Sequence, residues 1–180
     1  MLYVVRHFMR ALIFIILVIF FGSPHLFGQT DIKLAKQIIS DIIPTKQKAK
    51  PLAIIDEAYI IPEKDISIFE SRSSLANIIS SEQIAQISLD IKESTTFLWT
   101  KDIFDSNELV TLRVCDSLSS VNTSIYFYKY SKPFFTSDKM FCLISWIWKR
   151  GSFEQGWSMQ LYKRENNHWN SKIVYRHLPE

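Results

Sequence analysis

Beyond position 28, few residues could do chemistry: His168 and His177, Cys115 and Cys142, and two loose pairs of carboxylates. A zinc site draws three or four ligands from His, Cys and carboxylate side chains. The two histidines bracket one predicted strand, which would hold them roughly 30 Å apart when extended. They cannot share an ion within that strand. A serine nucleophile commonly sits in a G-x-S-x-G elbow, and "GSFEQG" (residues 151–156) does not fit it. Ser152 therefore reads as a loop serine, and two glycines are too few for a phosphate cradle. Asp56 with Glu57, and Asp138 with Glu154, could in principle act as paired acids, as in glycoside hydrolysis. Ser137 and Asp138 are better explained by turn formation. The expectation is no catalytic, cofactor-binding or metal-binding residue, and no cofactor.

Two constellations stay open. Cys115 and Cys142 could form a disulfide if the chain is exported, stabilising it by about 3–4 kcal/mol in the chain-entropy account. Their surroundings disagree, however. Cys142 sits in an apolar run, whereas Cys115 alternates with Thr111 and Arg113, so two separate thiols are the competing reading. Tyr126, Tyr128 and Tyr130 share one face of a strand, and each ring can bury its body while keeping its hydroxyl wet. They form either a recognition surface or a second, minor core beneath residues 62–108.

The elements that must position these groups follow from periodicity. "TDIKLAKQIISDIIP" repeats Ile32, Ala35, Ile39 and Ile42 at helical spacing, with Thr30 as a cap and Pro44 as a stop. "LAIIDEAYII" (residues 52–61) reads as a strand, with a helix as the other possibility. Ser80 followed by Gln83 makes a capping-box pattern, with Ile84 and Ile87 facing inward. From Glu108 onward the pattern is strand after strand. "LVTLRVCD" places Leu112 and Val114 inward, and "SIYFYKY" separates its tyrosines from Ile125 and Phe127. "TSDK" turns into "KMFCLISWIWKRG". "GWSMQLYKR" follows, then an "ENNH" turn, where Asn tolerates left-handed backbone, and "WNSKIVYRH". Strands apolar on both faces belong in the middle of a covered sheet, so the run around Trp146 and Trp148 is read as core.

The predicted fold is α+β: an antiparallel meander of about four to five C-terminal strands with an N-terminal helix packed on one face, preceded by a signal peptide. One domain is expected over 29–180, with 29–107 helical and irregular and 108–180 the meander. Residues 1–28 hold Arg6 and Arg10, an apolar run from Ala11 to Phe21, and Gly28 as the best cleavage point, the pattern of a secretory signal. That apolar run is short for a membrane anchor. Two of the 21 basic residues fall in this segment, leaving 19 against 18 acidic. Charge this balanced argues against nucleic-acid binding, which needs clustered positive residues. The densest run, "KQKAK" at 46–50, reads as a solvated linker.

Within the last third, Ser131, Pro133, Phe135, Asp138, Gly151, Gly156, Lys163 and Trp169 form a pattern that resembles a group of small exported bacterial proteins of unknown function. Members of that group often carry Cys-Gly pairs in the glycine-bearing hairpin. This chain has "KRGSFEQG" there, so the resemblance implies no thiol role for the hairpin and brings no activity. The expected function is a non-catalytic binding or envelope-associated structural domain, periplasmic or extracellular. A protein or envelope component would be its partner, and membrane contact would occur only through the signal before cleavage. The alternatives are a carboxylate-dependent hydrolase acting on envelope material and an immunity or inhibitor protein.

Overall fold

The computed structural model describes residues 29–42, 52–71, 75–101, 103–104, 109–121, 124–150 and 153–177. The signal segment, the "KQKAK" linker, Pro44, Gly151 and Ser152 lie outside them. Leu34–Glu180 form one compact unit, and Met1–Lys33 another, of which only the start of the first helix is described.

Among the described residues, four helices and a mixed seven-stranded sheet make up an α+β fold. The elements are α1 (Gln29–Ile42), β1 (Leu52–Ile55), α2 (Glu63–Glu70), α3 (Ser81–Lys92), β2 (Leu109–Val110), α4 (Leu112–Val121), β3 (Tyr126–Tyr130), β4 (Phe134–Phe135), β5 (Phe141–Arg150), β6 (Phe153–Glu165) and β7 (His168–His177). The sheet order is β2-β1-β3-β5-β6-β7, with β4 paired to β5. β3, β5, β6 and β7 run antiparallel, whereas β1 lies parallel to both β2 and β3.

Local chemistry accounts for the joints. The Ser80 hydroxyl accepts from Gln83 N and the Gln83 side chain accepts from Ser80 N, a closed capping box that starts α3. Asn166 and Asn167 have φ of 51° and 63°, the paired left-handed turn whose twist suits a two-residue hairpin. The β4–β5 turn is organised by Asp138. Its carboxylate accepts from Thr136 Oγ1 (2.5 Å), Met140 N (3.0 Å) and Gln83 Nε2 (3.0 Å). These bonds hold the Asp138 carboxyl below the usual carboxylate range, the Thr136 hydroxyl contributing most.

Register assigns the two faces of the sheet. Phe141, Leu143, Trp157, Met159 and Leu161 share one face and pack with Ile66 and Phe69 of α2 and Ile87 and Ile91 of α3. Ala53, Ile55 and Phe127 continue that face beneath Cys115 of α4. The opposite face carries Ile54, Tyr128, Tyr130, Cys142, Ile144 and Trp146, all buried. β5 is thus apolar on both sides from Phe141 to Trp146, as its sequence implies.

Ser145 breaks that run and is itself fully buried. Its hydroxyl accepts from Trp157 Nε1 (2.9 Å) and donates to Ser158 O (3.0 Å), while its N–H donates to Ser131 Oγ (2.9 Å). A buried hydroxyl is tolerated when its bonds are made, and here it also satisfies an indole.

One expectation is corrected. Leu112 to Asp116 are not strand: after the two-residue β2 the chain turns into α4, with Val114 N donating to Thr111 Oγ1 at 3.3 Å. Leu112 and Val114 are exposed rather than inward, and Cys115 is the buried position. Four residues of apparent alternation fit either period, and a helix whose outer side is apolar gives no stripe that marks its inner side. A second difference concerns α1, which already includes Gln29, so that Thr30 lies within it. Its buried residues are Leu34, Ala35, Ile38 and Ile39.

Candidate interaction surface

The tyrosines of β3 alternate onto one face as expected, but they differ in depth. Tyr130 is 1% and Tyr128 6% exposed. The segment after α3 lies against Tyr130: the Phe104 ring stacks at 6.2 Å, and Trp99 Nε1 donates to the Tyr130 carbonyl at 3.1 Å. Trp146 meets Tyr130 from β5 at 6.0 Å. Tyr128 and Tyr130 are therefore core, and of the three only Tyr126 is half-buried.

At Tyr126 the aromatic face reaches solvent. Register pairs Tyr126 with Arg150 and Tyr128 with Trp148. The Trp148 ring sits 6.3 Å from that of Tyr126, tilted by 40°, and the Arg150 guanidinium lies 5.6 Å from the Tyr126 ring centre. Trp148 rests over β6 because residue 156 is glycine: a Cβ there would stand 2.8 Å from Trp148 Nε1. A register shift between Trp148 and Lys149 falls at the same place, and such bulges re-aim neighbouring side chains. The result is a half-exposed Tyr–Trp–Arg corner at one end of the sheet.

The rings and the guanidinium of this corner are of the kinds that bind partners. Glu57 is 3.1 Å from Lys129 in an ion pair, and Asp138 is occupied in its turn. Asp56 takes part in backbone bonding to Val110 and Trp99, and the side chain of Glu154 lies outside the described residues. Among the described residues no three His, Cys, Asp or Glu side chains come together as a metal site, and His168 is exposed.

Both cysteines are buried and neither is in a disulfide. Cys115 packs from α4 onto one face of the sheet and Cys142 lies on the opposite face, so the structure holds no bridge between them. Burial pushes the Cys115 thiol above its ordinary value, offset in part by Lys149.

Sequence reasoning missed two features. Trp148 and Arg150 join Tyr126 only through the β3–β5 register, which pairing the two apolar runs around "YSKPFFTSDKM" could have suggested. The other is Asp65, 5% exposed among Ile66, Phe69 and their neighbours, with Tyr59 Oη donating to it at 3.4 Å. Burial raises its carboxyl above the usual range, opposed by Lys64 and the Tyr59 bond. An isolated Asp in a helix's first turn gives no sign of such burial.

No protein-family model, curated protein or solved structure matches the chain. Among the described residues no helix is long and apolar enough to cross a membrane.

Proposed function

We propose that the chain is an exported, non-catalytic binding domain whose partner, a protein or another envelope component, is met at the Tyr126–Trp148–Arg150 corner. One observation carries this reading: a tyrosine, a tryptophan and an arginine cluster where an otherwise buried aromatic face reaches solvent. These three residue types dominate the energetics of protein interfaces, because a rigid ring or guanidinium buries much area at small entropic cost. The second half supports it as a scaffold: Asp138 holds the β4–β5 turn and Glu57 pairs with Lys129 on β3.

Export rests on the pattern of residues 1–28, with the periplasm or the exterior as destination. The resemblance of the last third to small exported bacterial proteins agrees with it. In this reading α1 is the helix that closes the second face of the sheet. Its buried Leu34, Ala35, Ile38 and Ile39, and the bond from Gln37 Nε2 to the Asn167 carbonyl, support that placement.

The test is capture from envelope extract by the immobilised protein, run beside Trp148→Ala and Arg150→Ala. A component retained by the wild type and lost with both variants supports the reading. Retention unchanged by either variant contradicts it.

A further inference from the structure

At the far end of the sheet, the β6–β7 hairpin places Arg164 directly opposite Trp169. Cross-strand partners share a face, with Cβ atoms about 5 Å apart. Each of these two side chains carries a buried N–H that has no acceptor among the described residues: Arg164 Nε and Trp169 Nε1. Trp169 is 5% exposed. A buried donor left unpaired loses its hydration and gains nothing in return, and native folds rarely leave two side by side.

Arg164 makes one side-chain bond among the described residues, from Nη2 to Asn167 Oδ1 at 3.2 Å, and Asn167 is exposed on the turn. Among the described residues no carboxylate pairs with this guanidinium. Phe135 packs 6.0 Å from Trp169, and Lys139 Nζ lies 5.2 Å from the Phe135 ring centre, so a second cation stands nearby.

We propose that Arg164 and Trp169 form a carboxylate-binding site. One carboxylate oxygen accepts from Arg164 Nε and Trp169 Nε1. The other takes Nη2 in place of the Asn167 side chain, which swings out into solvent. The planar, two-oxygen group matches the edge of a guanidinium on which Nε and Nη2 lie together. The indole supplies the third donor and Lys139 adds long-range attraction. Access is from the hairpin tip, where Asn166, Asn167 and His168 are all exposed.

This site is independent of the Tyr126 corner. β5 runs ten residues from Phe141, beside Lys163, to Arg150, beside Tyr126, which separates the two ends by roughly 30 Å.

The test follows the indole N–H resonance of Trp169 in the ¹⁵N-labelled protein, assigned with Trp169→Phe. Sodium acetate is titrated against sodium chloride at equal ionic strength. A short peptide with a free C-terminal carboxylate is then compared with its amidated form. The expected result is a saturating shift with acetate or the free-acid peptide, none with chloride or the amide, and at least tenfold weaker binding in Arg164→Gln. A free-acid peptide binding tenfold or more tightly than acetate identifies a chain terminus as the ligand's source; equal binding identifies a small carboxylate. Absence of any saturating shift in the wild type overturns the proposal, whatever the variants do. So does an unchanged shift in a folded Arg164→Gln protein, or tighter binding of inorganic phosphate than of either carboxylate.

Discussion

The indole N–H of Trp157 donates to the hydroxyl of Ser145 across the β5–β6 ladder, at 2.9 Å. That one contact explains why a serine interrupts the most apolar strand of the chain. Removing the hydroxyl would take its acceptor from the buried indole N–H and one donor from the Ser158 carbonyl. Ser145→Ala is expected to cost about 1–3 kcal/mol, the range for an unsatisfied buried donor. Urea denaturation measures it; a change below about 0.5 kcal/mol, typical of surface substitutions, would show that the network is incidental.

Gly156 is held to its identity by Trp148. A methyl group there meets the indole at 2.8–3.0 Å, and overpacking of this kind costs about 1–3 kcal/mol. Gly156→Ala should destabilise the protein by that amount in the wild type and by much less in a Trp148→Ala background. The double-mutant cycle measures the coupling; additivity would mean that the two positions are independent.

Asp138 should make stability fall in acid. Its folded carboxyl titrates below its unfolded value of about 3.9, because Thr136 and Met140 donate to the charged form. The stabilisation is fully present above the unfolded value and is lost as pH drops through the folded one. Asp138→Ala is expected to lower stability at pH 7 by about 1–2 kcal/mol, through loss of the Thr136, Met140 and Gln83 bonds. The deficit should narrow below pH 4. Thermal melts at pH 7 and pH 3 measure both values.

Asp65 should behave in the opposite way. Burial raises its folded carboxyl above the unfolded value, so the folded state holds the proton more tightly. Its contribution to stability is complete below the unfolded value and declines as pH rises through the folded one. Asp65→Asn, which keeps an acceptor for Tyr59, is expected to raise Tm at pH 7 and to leave it unchanged near pH 3.5. Equal shifts at both pH values would contradict a burial effect.

Much of the second half was legible because its constraints are local. Two asparagines in a left-handed turn, a Ser80–Gln83 capping box and the alternation of Trp157, Met159 and Leu161 each specify their element within a few residues. α4 was not legible, because its inner face is only Cys115 and Ser119 while Val114, Leu118 and Val121 lie exposed on its outside. The parallel pairing of β1 with β2 and β3 was hidden for another reason. Its partners stand more than fifty residues away in sequence, and no turn motif records that distance. The candidate surface fell between these cases. Tyr126 was read correctly as sharing a face with Tyr128 and Tyr130, but their depths depend on Trp99, Phe104 and the β3–β5 register.

The central claim is that the second half is an inert scaffold presenting an aromatic–cationic corner to a partner. Its most direct measurement is the binding of the component captured from envelope extract, titrated against the wild type, Trp148→Ala and Asp56→Asn/Glu57→Gln. The account predicts saturable binding that weakens at least tenfold in Trp148→Ala, a loss of about 1.4 kcal/mol or more, and is unchanged in the carboxylate variant. Turnover of the captured component by the wild type, abolished in the carboxylate variant, would contradict it.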